Sequence, residues 1–191
     1  MKGIKIFLFF FCFIFFYNNI LFSKEIKNLV IINNSVITNF DLEKEIKLKK
    51  IIEKIEINNI VVTKILGQLI NEKIQFLEVE KNNIVIGEEI IDQRLNQILK
   101  SNLTLGENQE IKSYIRYKIK LNLRWNKLIN FKYKRMLEVN MNEINEIMLT
   151  QKLKEENKDE IIQREKNKKL NLFSRLFLNE IKKDYLIKKI K

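Results

Sequence analysis

Histidine and proline are absent from this chain, cysteine occurs once and glycine four times. The missing imidazole excludes Ser-His-Asp and Cys-His catalytic arrangements, and with them the histidine-ligated zinc sites that serve exported chains poor in cysteine. Carboxylate pairs, lysine and tyrosine remain as candidate catalytic groups. The adjacent carboxylates Glu88/Glu89, Glu155/Glu156 and Asp159/Glu160 point about 100° apart on a helix and have polar neighbours that leave a pKa unraised. They read as solvated faces. Gly67, Gly87 and Gly106 stand alone, so no glycine-rich phosphate loop exists. The sequence therefore assigns no catalytic residue, no metal ligand and no cofactor, and the chain reads as a non-enzyme.

The first 23 residues stand apart from the rest. Lys2 and Lys5 give a positive start, Ile6 to Phe16 is an unbroken apolar run, and Leu21-Phe22-Ser23 ends on a small residue before Glu25. This is the layout of a secretory signal peptide with cleavage after Ser23, which predicts an exported mature chain. The competing reading is a retained membrane anchor over Ile4 to Phe22, interrupted at Tyr17-Asn18-Asn19. Cys12 lies inside the apolar run without the flanking residues of a lipid-attachment site. Removing the segment leaves about 168 residues with no cysteine and a net charge of +10, down from +12. That length suits one domain stabilised by packing alone. The basic balance fits an anionic surface or acidic clients, but the general excess of Lys, Asn and Ile reads more simply as the bias of an A+T-rich genome. No window concentrates charge with interleaved aromatics, so nucleic acid is not a predicted partner.

Organised structure starts at Leu29. Two β-branched runs, Leu29–Ile32 and Val36–Ile37, flank Asn33-Asn34-Ser35 and predict a hairpin. Thr38-Asn39-Phe40-Asp41 then supplies a helix N-cap, with Asp41 and Glu43 in the first turn. Helices are expected over about Phe40–Ile55 and Ile60–Lys81. The second carries a stripe of Ile65, Leu66, Leu69, Ile70, Ile74 and Leu77. Gly67 inside it suggests a close neighbour. Gly87 opens a third helix bearing Ile91, Leu95, Ile98 and Leu99.

Thr104-x-x-Glu107 has capping-box form, and a long helix is expected from about Glu110 to Glu138. Tyr114, Leu121, Trp125, Leu128 and Met136 fall within roughly 80° of one another on it, a band that predicts packing along its whole length. Asn140-x-x-Glu143 opens another helix through Ile144, Ile147 and Met148. Residues 151–169 are dominated by charged and amide side chains, either an exposed helix or a linker. A final helix is expected from Leu170, with Phe173, Leu176, Phe177, Ile181 and Tyr185 on one side. Leu186 to Ile190 is a candidate strand for pairing with the hairpin.

Four pieces in order resemble the core module of SurA-type periplasmic chaperones: Asn34-Ser35-Val36-Ile37-Thr38 leading to Asp41-Leu42; Leu69-Ile70-Asn71-Glu72-Lys73-Ile74-Gln75; Asn83-Ile84-Val85-Ile86 before Glu88; and Val139-Asn140 leading to Glu143-Ile144. The resemblance covers Leu29 to about Met148 and, more weakly, Phe173 to Ile190. It implies a mainly α domain, residues 24–150, with a small sheet formed by the N-terminal hairpin and the chain's end. Residues 170–191 would dock on that domain. Where this family carries parvulin prolyl isomerase domains, residues 151–169 form only a short polar stretch, and histidine is missing. Isomerase activity is therefore not implied. A holding role is: transient binding of unfolded outer-membrane proteins, or aromatic-rich peptides, through an apolar groove. The client-binding residues expected are Phe131, Tyr133, Met136, Met141 and Met148, since methionine and aromatic side chains make adaptable surfaces. Plain core packing competes for the same residues. The alternative to the holdase is an envelope scaffold that keeps its apolar segment as an anchor and binds one folded partner, the only case that involves a membrane.

Overall fold

A computed structural model describes residues 25–102, 104–152 and 154–190. The expected signal segment, its cleavage after Ser23 and Cys12 lie outside the described residues. The hairpin forms as β1 (Asn28–Ile32) and β2 (Ser35–Thr38), in the register Ile32↔Ser35, Ile31↔Val36 and Val30↔Ile37. Asn33 turns the chain by adopting a φ of 48°, in the left-handed region that asparagine tolerates better than most residues. Thr38 caps α1 (Asn39–Glu53) through a reciprocal box: its Oγ1 accepts from Asp41 N–H at 3.3 Å, and Asp41 Oδ2 accepts from Thr38 N–H at 2.8 Å.

Asparagine supplies most of the remaining punctuation. Asn58 caps α2 (Asn59–Lys81) by accepting from Val61 N–H at 3.0 Å. That helix ends in a Schellman motif, with Asn83 at φ 52°, Asn83 N–H donating to Glu80 O and Ile84 N–H donating to Val79 O, both at 3.0 Å. Gly87 caps α3 (Glu88–Ser101). The short α4 (Thr104–Glu107) precedes α5 (Gln109–Tyr133), capped by Asn108, whose Oδ1 accepts from Ile111 N–H at 3.0 Å. Asn140 caps α6 (Met141–Thr150), and α7 (Lys158–Ile181) leads to β3 (Ile187–Lys189).

The two ends of the described chain meet in one antiparallel sheet of order β2-β1-β3, as the sequence predicts. Asn33 fastens the junction twice: its N–H donates to Leu186 O at 3.0 Å, and its Oδ1 accepts from Leu186 N–H at 2.9 Å. Val30, Ile32 and Ile37 face a core shared with Ile65, Leu69, Ile70 and Ile74 of α2, Leu121, Trp125 and Leu128 of α5, and Phe177 and Ile181 of α7. Trp125 stacks on Phe177 with ring centroids 5.6 Å apart and donates its indole N–H to Ser174 Oγ at 2.7 Å. A second cluster joins Leu48, Ile91, Leu95 and Leu105 to Ile111, Ile115 and Ile119, so α5 belongs to both. A small third one holds Ile144, Met148 and Ile161.

The structure corrects four expectations. The long helix stops at Tyr133 and tightens into a 3-10 turn, Lys134–Leu137, so the 100° step no longer holds and Met136 leaves the packed band for solvent. The last helix starts at Lys158 rather than Leu170, so of the two readings of residues 151–169 the helix holds from Lys158 onward. Its polar half is held by burial of Ile161 and by Glu165, which accepts from Lys168 at 2.7 Å, while residues 151–152 form a turn and Glu155–Asn157 a 3-10 segment. Within α7, Leu176 lies at the edge of the apolar face and is exposed. Gly67, expected to mark a close approach, has open space where a Cβ would sit.

Candidate functional site

An open cleft of about 470 Å³ lies where α1, α2 and α5 meet β2. Its apolar part includes Ile37 at the end of β2 and Leu69 of α2. One wall is aromatic. Tyr114 and Tyr117, a turn apart on α5, have ring centroids 6.2 Å apart at 14°, and Tyr117 meets Phe76 of α2 at 6.5 Å and 43°. Tyr117 remains substantially exposed, so this ladder is only partly covered by the protein itself. Asp41, Lys44, Glu72, Lys73 and Glu110 supply the charged lining.

A partly buried ionic cluster adjoins the aromatic wall. Lys118 Nζ donates to Glu45 Oε2 at 2.8 Å and to Glu72 Oε1 at 2.6 Å, and Tyr114 Oη donates to the same Glu45 oxygen at 2.8 Å. Glu45 is 4% exposed, so its charge is tolerable only because an ammonium and a phenol face it. Burial raises the Glu72 pKa above its ordinary value, against the opposing pull of Lys118. Burial first, and then the Glu45 carboxylate, push the Tyr114 phenol far up, so it stays protonated and donates. Glu72 also lines a second cleft of about 400 Å³, with Leu48, Ile98, Ile115 and Ile119 among its apolar residues. Among the described residues no group of three or more potential ligands is placed to hold a metal ion, and no helix is long and apolar enough to cross a membrane.

The five residues expected to bind clients differ in exposure. Phe131, Met136 and Met141 are 81%, 59% and 45% exposed. Tyr133 stacks on Phe173 at 4.9 Å and meets Phe177 edge-on at 6.2 Å, which ties α5 to α7. Met148 is buried beside Ile144 and Ile161. Neither cleft described above includes any of the five. The aromatic wall had a local signal that sequence reading passed over, since Tyr114-x-x-Tyr117 places two rings on one helix face. Glu45 also sits at a stripe position, three residues after Leu42 and three before Leu48. Compared with known proteins, the sequence matches no family profile and no curated protein.

Proposed function

We propose that this protein is a periplasmic holdase that binds unfolded outer-membrane proteins reversibly, with no prolyl isomerase activity. The observation that carries the reading is the open cleft with its partly uncovered Phe76–Tyr117–Tyr114 ladder. Aromatic rings gain from offset or tilted contact with incoming rings and contribute area at little entropic cost. A cleft of this size accepts a few side chains of an extended segment rather than a folded domain. The resemblance of residues 29–148 to SurA-type cores supports the same role, and the chain's lack of histidine separates it from the isomerase chemistry found elsewhere in that family.

The test uses residues 24–191, which contain the whole described fold. An unfolded β-barrel protein is diluted into buffer with and without a several-fold excess of this protein, and light scattering follows its aggregation. Slower aggregation is expected, with the effect reduced in a Phe76→Ala/Tyr117→Ala variant that keeps its helical circular dichroism. Unchanged scattering at that excess would falsify the holdase reading.

A further inference from the structure

An occupant of the aromatic cleft must also satisfy its charges, and all but one of the charged lining residues are already engaged. Asp41 Oδ2 accepts from Thr38 N–H at 2.8 Å and from Thr38 Oγ1 at 2.9 Å. Glu72 is paired with Lys118 at 2.6 Å. Glu110 stands 3.9 Å from Lys44 and 3.6 Å from Lys47, which engages Lys44 as well. Lys73 differs: none of the described carboxylates forms an ion pair with it, and its ammonium stands 5.9 Å from the centroid of the Phe76 ring, one turn further along α2. An unpaired cation therefore stands at the edge of the aromatic wall.

We propose that the preferred occupant is an extended segment carrying Asp or Glu two residues from an aromatic side chain. This rests on the holdase reading of the cleft and narrows it. The ring lies against Phe76 and Tyr117 while the carboxylate meets Lys73. The spacing follows from geometry: in an extended chain, residues two apart point the same way and lie about 6.6 Å apart, comparable to the 5.9 Å between the Lys73 ammonium and the Phe76 ring. A lysine in place of the acid sets two ammonium groups against each other.

The experiment measures fluorescence anisotropy of labelled nine-residue peptides, acetylated and amidated, with residues 24–191. The peptides differ only at the position two residues from a phenylalanine, which holds Asp, Asn or Lys. The Asp peptide is expected to bind about two- to fivefold tighter than the Asn peptide, the range of a partly exposed ion pair, and the Lys peptide weakest. The Asp:Asn ratio should fall to about one in Lys73→Met but persist in Lys183→Met, an exposed lysine outside the cleft that controls for net charge. Equal, measurable affinities for all three peptides overturn the acidic preference and leave the holdase reading standing. A ratio that survives Lys73→Met overturns the assignment to that residue. Binding of none of the peptides, together with an aggregation assay indifferent to Phe76→Ala/Tyr117→Ala, removes the holdase reading as well.

Discussion

Glu45 and Lys118 show how one side chain ties together residues from three helices. Lys118 is the cation shared by two carboxylates from different helices, and Glu45 is buried enough that water cannot substitute for it. Lys118→Met keeps the stem and removes the charge, leaving Glu45 and Glu72 to repel each other in a poorly solvated site. The expected cost is about 3 kcal/mol, as for breaking a buried pair, read from the urea midpoint at constant m-value. Glu72 adds a pH dependence whose sign follows from its raised pKa. The folded state binds that proton more readily than the unfolded chain does. The stability this group contributes is therefore fully present below its ordinary pKa of 4.5 and lost as pH rises through the raised folded value. The stability of wild type relative to Glu72→Gln should therefore rise as pH falls from 7 toward 4.5 in parallel urea titrations. A difference that stays flat across that range rules out the raised pKa. The stripe position of Glu45 and the pair Tyr114-x-x-Tyr117 are local signals, but the cluster itself is not legible in the sequence, because Glu45, Glu72, Tyr114 and Lys118 are brought together only by the crossing of α1, α2 and α5.

The boundaries of the helices were far more legible, for a local reason. A chain with no proline and four glycines must stop and start its elements by other means, and asparagine does so at Asn33, Asn58, Asn83, Asn108 and Asn140. Caps and turns involve residues two to five apart, so spacing along the chain reveals them. The apolar stripes of α2 and α3 were readable for the same reason. Periodicity failed where the helical step changed, at the 3-10 turn that exposes Met136, and where a residue sat at the margin of a face, as Leu176 does. Gly67 marks another limit: a glycine in a helix shows reduced propensity but does not reveal whether a neighbour needs the space. Because the space above Gly67 is open and its helix is regular on both sides, Gly67→Ala should stabilise the protein by about 1 kcal/mol. A thermal or urea midpoint that fails to rise would mean that the site is tighter than the structure shows.

Across the whole molecule, α5 joins the two larger apolar clusters. Ile111, Ile115 and Ile119 pack into one cluster, and Leu121, Trp125 and Leu128 into the other, on the same helix. The aromatic cleft opens beside that junction, and its lining comes from residues 37–44, 69–76 and 110–117. Such a site emerges only once these three segments have packed together, which is why the methionine-rich stretch near residue 140 was the more visible choice in sequence. Closure itself can be tested at the tail. β3 pairs with β1 through Val30↔Lys189, Ile31↔Lys188 and Ile32↔Ile187, reinforced by the two Asn33–Leu186 bonds and by Ile190 N–H donating to Leu29 O at 2.9 Å. Upstream, Tyr185 donates to the buried Glu78 carboxylate at 3.1 Å, and α7 keeps Phe177 and Ile181 in the core. Removing residues 186–191 therefore takes away the strand and leaves both anchors. Trp125 fluorescence, reporting from α5 beside Phe177, should still show a single urea transition, shifted to lower urea. The bared edge of β1 should promote self-association that rises with protein concentration, since an unpaired strand edge templates pairing between chains. An unchanged midpoint would mean that the strand only decorates a sheet already stable as a hairpin on α2. Loss of any cooperative transition would mean that the tail is needed to form the core rather than to seal it.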